Sequence, residues 1–197
     1  RQYGATWLLD KVAEATGIKD DLLKVLDGNH EMVNDVLTMA YFPFVDNLSY
    51  NQLSQWQKEV KAPSEHVLNS FNITRLTQSI TEKHRMDLFR CRAKRVGKGE
   101  LCAVDSTSMS IYGFNLVDIR WDKNKECLPL RQTLEVVVYS LTSHMPIYYK
   151  ELPGNMPDCR TIELIMKEME HAGFKNLVLI TDRGYESMKN LETYIAK

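Results

Sequence analysis

The 197-residue sequence predicts an α/β protein, with a helical region over residues 1–96 followed by a mixed sheet and flanking helices over residues 97–197. Three observations carry this expectation. Through the first half, apolar residues return every three or four positions, the period of a helix with one buried face. From Leu101 the texture changes to the β-branched runs LCAVDSTS, QTLEVVVYS, PIYYKEL and NLVLITDRG. Between the last two runs, PDCRTIELIMKEMEHAG has helical spacing, so the final strand is reached by a crossover and adds in parallel to an otherwise antiparallel group.

In order along the chain, ATWLLDKVAEATGI places Leu8, Leu9, Val12 and Ala13 on one helical face, with Gly17 as the stop and Ile18 as the apolar contact after it. DDLLKVL starts a second helix from an acidic cap, and HEMVNDVLTMAYF forms a third that stops before Pro43. Ser49 and Gln52 in SYNQLSQWQKE stand at capping-box spacing. A longer helix follows, in which Ile73, Leu76, Ile80 and His84 share a stripe; it runs into a basic segment and ends near Gly97 and Gly99. In the crossover helix Ile162, Ile165, Met166 and Met169 form the inner face, Asp158 is the cap and Gly173 the stop. After the last strand, YESMKNLETYIAK reads as another helix.

With 44% hydrophobic and 26% charged residues the chain has material for one good core or two small ones. No apolar run approaches the roughly 18 residues of a membrane span, and no signal-peptide pattern is present, so the reading is a soluble cytoplasmic protein with no membrane partner. Cys91, Cys102, Cys127 and Cys159 show neither CxxC pairing nor zinc spacing and read as reduced thiols. The chain opens on Arg1 and its last helical segment is interrupted at Lys197, which reads as a fragment of a longer protein.

Charge is unevenly spread. The net charge is -1, yet residues 82–100 hold seven Lys or Arg against three acids. Such a run is either a solvated helix face or a nucleic-acid contact. Ala13, Gly17 and Leu23 match the small, turn and apolar positions of a helix-turn-helix, a spacing that plain helix packing also produces. The region 1–96 is accordingly read as helical, with DNA binding as its candidate role.

The chemistry centres on two acids. Asp105 and Asp182 each follow a buried-type strand, and in α/β sheets functional groups gather at the carboxyl ends of strands. Either acid alone could simply cap the next turn. If their strands are neighbours, two carboxylates meet at one rim and attract a cation, with oxygen-only ligation suited to Mg²⁺ or Mn²⁺. Arg183 either contacts a phosphate or pairs with Asp182, and Gly184 permits a sharp turn or close substrate approach. The five histidines, His30, His66, His84, His144 and His171, form no nucleophile arrangement and are read as surface or structural.

Taken together, AVDSTS, then PGNMPDCRTI, then LVLITDRGYES resemble the catalytic core of insertion-sequence DDE transposases, whose domain has a ribonuclease H-like fold. The resemblance covers residues 97–197 well. It implies a partial ribonuclease H-like sheet and the first two catalytic, metal-binding acids at Asp105 and Asp182. It further implies Mg²⁺ or Mn²⁺ as cofactor, transposon-end and target DNA as partners, a homo-oligomer on DNA, and action at the nucleoid. The third acid of that family, a Glu on a later helix, has no counterpart, since Glu186 and Glu192 come too soon after Asp182. The fragment is therefore expected to be catalytically incomplete. Two alternatives stand beside this reading: a non-catalytic DNA-binding relative, and a haloacid-dehalogenase-like phosphatase, whose second Asp is replaced here by Thr107.

Overall fold

The computed structural model describes residues 1–97, 99–113, 117–121, 130–156 and 158–182, the side chains of residues 158–160 excepted. The expected helix after the last strand, with Glu186 and Glu192, and the roles of Arg183, Gly184, Cys127 and Cys159 lie outside these residues, as does capping by the Asp158 side chain. The chain forms two compact units, Arg1–Leu88 and Phe89–Lys197.

The first unit is helical. Helix α1 (Gly4–Ala15) and α2 (Ile18–Val25) meet at Gly17, whose φ of 68° stops α1 and caps α2 at once. The second helix thus starts two residues before the predicted acidic cap, and Asp20 and Asp21 sit in its first turn, where the helix dipole favours them. The inner face of α1 also differs from the expected one. Thr6 and Ala13 are buried, whereas Leu8 and Val12 are 58% and 49% exposed. The Thr6 hydroxyl donates to the carbonyl of Lys61 at 2.8 Å, a tertiary bond that turns this side inward.

Helix α3 (His30–Val45) runs through Pro43 instead of ending before it. Proline has no N–H to offer the carbonyl four residues back. That carbonyl, on Met39, accepts from the Tyr50 hydroxyl at 3.2 Å instead. Tyr50 belongs to a 3₁₀ turn (Tyr50–Gln52) leading into α4 (Leu53–Glu59), and the capping box expected from Ser49 and Gln52 is not formed: the Ser49 side chain makes no cap bond, and its carbonyl receives the Gln52 N–H in the 3₁₀ turn. Phe42, Leu53, Trp56, Val60 and Leu68 form the core here, with Met39, Val45, Ala62 and Ile73 against it.

The predicted long helix is two, α5 (Ser70–Ser79) and α6 (Glu82–Ala93). Thr81 breaks it: its hydroxyl accepts from the His84 N–H at 3.4 Å while His84 Nδ1 accepts from the Thr81 N–H at 3.2 Å, a reciprocal cap. Ile80 is left exposed rather than on a shared stripe, and α6 ends at Ala93, short of Gly97 and Gly99.

The second unit contains the sheet: β1 (Leu101–Ile111), β2 (Arg120–Trp121), β3 (Arg131–Ser140), β4 (Met145–Pro153) and β5 (Val178–Thr181), with α7 (Asp158–His171) before β5. β1 lies between β3, antiparallel, and β5, parallel; β4 and the short β2, which the sequence reading missed, both pair with the far side of β3. An antiparallel group, a crossover helix and a parallel strand beside the first make the mixed α/β sheet that the sequence predicts. Helix α7 covers one face, burying Ile162, Ile165 and Met169, three of the four expected inner residues; Met166 is half-buried. Tyr148 and Lys150 of β4 fix α7 in place, both donating to the Glu168 carboxylate. A 6→1 bond from Phe174 N–H to the Met169 carbonyl and a 5→2 bond from Gly173 to Glu170 close the helix, with Gly173 at φ 96° as expected of the stop.

Candidate functional site

The parallel ladder between β1 and β5 pairs Leu101 with Val178, Cys102 with Leu179, Ala103 with Ile180 and Val104 with Thr181. The next residue on each strand is an aspartate. Asp105, within β1, and Asp182, the residue after β5, therefore each come directly after the last pair of the ladder, where adjacent strands lie about 4.8 Å apart. Residues level with each other on parallel strands point to the same face, so the topology presents both carboxylates on one side of the sheet. That side is opposite the buried row of Cys102 and Val104, and both aspartates are exposed.

One feature departs from expectation. Asp105 does not end its strand, because β1 continues six residues to Ile111, held by antiparallel pairing with β3 as far as Arg131. The described part of β5 stops at Thr181, so the aspartates mark the end of the parallel ladder rather than the end of β1. The backbone N–H of Ser106 donates to Asp105 Oδ1 at 2.8 Å, which orients that carboxylate locally.

The register also brings up acids that strand-end reasoning passed over. Glu135 lies opposite Thr107, and Glu151 opposite Glu135, on the face that carries Asp105. Like charges opposite one another disfavour pairing unless a cation neutralises them. Alternating polarity in RQTLEVVVYS contained the signal for Glu135, but only the register shows which acids share a side. Two hard oxygen donors beside each other suit Mg²⁺, which commonly takes one or two carboxylates and completes its octahedron with water and phosphate oxygens. Among the described residues, no three His, Cys, Asp or Glu side chains are grouped so as to hold a metal ion.

What sets this register is at the opposite end of the ladder. The Glu100 carbonyl accepts from the Val178 N–H at 2.9 Å, and the Gly99 N–H donates to Asn176 at 2.8 Å. The Glu100 carboxylate is buried and accepts from the Ser140 hydroxyl and from the Gly97 N–H, the latter at 2.9 Å. The Ser140 bond, ahead of the backbone one, holds the Glu100 carboxyl below its ordinary range despite the opposing cost of burial. A charged, bonded Glu100 thus pins the start of β1 to the end of β3 and to the segment that precedes it.

The histidines lie elsewhere. His66 sits with Nε2 3.2 Å from Asp35 and Nδ1 3.5 Å from Glu31, an arrangement that ties the segment after α4 to α3, and His84 belongs to the cap of α6. Cys91 and Cys102 are free thiols, and burial raises Cys102 to about 11, which leaves it protonated and inert. No helix among the described residues is long and apolar enough to cross a membrane.

A comparison with curated proteins finds no match. Among solved structures, the chain is similar to one described as the Mos1 transposase paired-end complex with left transposon end, at 13% identity and a TM-score of 0.34 over 82% of this chain. It spans 56% of that chain's length. The family model described as the transposase DDE domain matches residues 97–197, the part that carries both aspartates and the whole sheet. With just over half of its residues matched by that model, the chain belongs to the DDE transposase family.

Proposed function

We propose that the chain is the part of a transposase in which Asp105 and Asp182 are two of the acids that bind divalent metal for cleavage and strand transfer at transposon ends. The supporting observation is the ladder that ends at Val104 and Thr181, which leaves the two aspartates adjacent on one exposed face. Mg²⁺ or Mn²⁺, when bound, supplies Lewis-acid stabilisation of charge on phosphate oxygens and activation of the attacking oxygen. The chain's own part is to hold two carboxylates at fixed spacing on a rigid strand pair, so that no reorganisation is needed when substrate arrives. The Ser106 N–H keeps one Asp105 oxygen engaged and so limits its rotation. The family's third acid and the DNA phosphate complete the ligand set in the full-length protein.

In the same reading, residues 83–98 contact the DNA backbone. Lys83, Arg90, Lys94 and Arg95 are exposed on and after α6, and cations of this kind bind DNA by releasing its condensed counterions. Residues 1–96 form the helical, DNA-binding part, residues 97–197 the catalytic part, and the protein acts as a homo-oligomer on DNA in the cytoplasm, at the nucleoid.

The test is a metal-dependent cleavage and strand-transfer assay on the full-length protein, with Asp105→Asn and Asp182→Asn alongside. Both variants are expected to lose activity by a factor of about 10² or more while still binding end DNA. Retained cleavage in either variant removes that residue from the site.

A further inference from the structure

We infer that Trp121 and Arg131 form a stacking platform for an unpaired base of the DNA substrate, on the same side of the sheet as the aspartates. The inference rests on the DNA reading above and adds a contact to it.

Among the described residues strand β2 comprises Arg120–Trp121, and it pairs with β3 so that Trp121 lies opposite Arg131. Directly opposed residues share a face. Along β3 residues 131, 133, 135 and 137 share that face by the period of two, and Val137 is opposite Asp105. Trp121, Arg131 and Asp105 therefore belong to one side of the sheet. Six residues of β3 separate the level of Trp121 from that of Asp105, on the order of 20 Å at strand rise. A DNA strand rises about 3.4 Å per nucleotide, so the base concerned lies several nucleotides from the phosphate at the aspartates.

A single exposed apolar residue needs no explanation by itself. Here the ring is 59% exposed, yet held: the Arg131 guanidinium lies 5.6 Å from its centroid, within cation–π range. The residue before it is anchored as well, since the Arg120 guanidinium donates to the Val117 and Ile119 carbonyls at 2.7 and 2.8 Å. Strand β2 thus presents an indole with one cation, Arg131, against its ring. Aromatic rings beside arginines suit a nucleobase, whose π-face stacks on the ring while its phosphate meets the charge. Bases inside a duplex are already stacked, so the partner is an unpaired or extruded base.

Fluorescence anisotropy with the whole chain tests this on three labelled probes of one sequence: a blunt duplex, a duplex with a single-stranded overhang, and the same overhang made of abasic sites. Wild type is expected to prefer the overhang with bases. Trp121→Ala is expected to weaken that probe about tenfold and leave the other two unchanged, with Trp121→Phe restoring most of the loss. Equal binding of all three probes by wild type, or the same weakening of all three by Trp121→Ala, overturns the platform while leaving DNA binding intact. Failure of wild type to bind any probe overturns the platform and the DNA reading together. Thermal melts of Trp121→Ala and Trp121→Phe, expected to match wild type, show that a loss is local.

Discussion

Val104 and Thr181 are the last partners of the β1–β5 ladder, and the residue after each is an aspartate. Metal affinity should follow from that relationship. Titrating Mn²⁺ into the chain and into Asp105→Asn and Asp182→Asn is expected to show weakening by at least about tenfold in each variant, since even outer-sphere changes at metal sites cost about 10–100-fold. Glu151→Gln removes the same charge from the same face without touching the pair, and it is expected to change affinity by far less. Equal losses in all three variants would mean a diffuse field rather than ligation.

Gly154 is constrained by close approach rather than by its dihedral angles. A Cβ there would lie 2.0 Å from the Gln132 carbonyl oxygen and 2.6 Å from its carbon, both backbone atoms that cannot step aside. Gln132 Nε2 also donates to the Gly154 carbonyl at 2.8 Å, so a shift of the loop breaks a buried bond. Gly154→Ala is expected to lower stability by about 1–3 kcal/mol, read as a lower denaturation midpoint. Gly4→Ala, where a Cβ meets nothing within 4 Å, is the matched control.

Tyr50 and Pro43 should be coupled. Tyr50→Phe leaves the Met39 carbonyl without its hydroxyl donor, a loss of about 0.5–1.5 kcal/mol. In a Pro43→Ala background the restored N–H can reach that carbonyl, and the same substitution should cost little. A double-mutant cycle by urea denaturation measures the difference, and full additivity would count against the compensation.

Glu100 should leave a pH signature in stability. Its folded pKa is depressed, chiefly by the Ser140 hydroxyl, so the stabilisation is fully present above the ordinary carboxylate range near 4.5. It is lost as pH falls through the folded value. Glu100→Gln and Ser140→Ala are therefore expected to destabilise at neutral pH and to flatten the fall in melting temperature below about pH 5. An unchanged acid limb in both variants would show that Glu100 titrates alike in the folded and unfolded chain.

Much of the fold is legible in the sequence wherever one residue type answers a local demand. Gly17 and Gly173 stop helices because they take positive φ at no steric cost, and Ile162, Ile165 and Met169 are buried because helical spacing puts them on one stripe. The misreadings share another cause. Pro43 stays in a helix because Tyr50 supplies the missing donor, α5 and α6 part because Thr81 and His84 cap each other, and Leu8 and Val12 face water because Thr6 is bonded inward to Lys61. In each case a partner several residues away, or across the fold, overrules the local preference.

For the candidate site the division is similar. That Asp105 and Asp182 come after apolar, β-branched runs, and that residues 97–197 match a transposase pattern, can be read from the order of residues alone, because side-chain alternation and turn chemistry are local properties; that β1 runs on past Asp105 cannot. Their adjacency cannot. Seventy-seven positions apart in the chain, they meet only because β5 adds in parallel to β1, in a register tied down at Glu100 and Val178. A shift of one residue in that register would carry one carboxylate to the other face, since side chains alternate with a period of two. Strand pairing, a non-local set of hydrogen bonds, is what decides that the two acids share a side, and with them Glu135, Glu151 and Trp121.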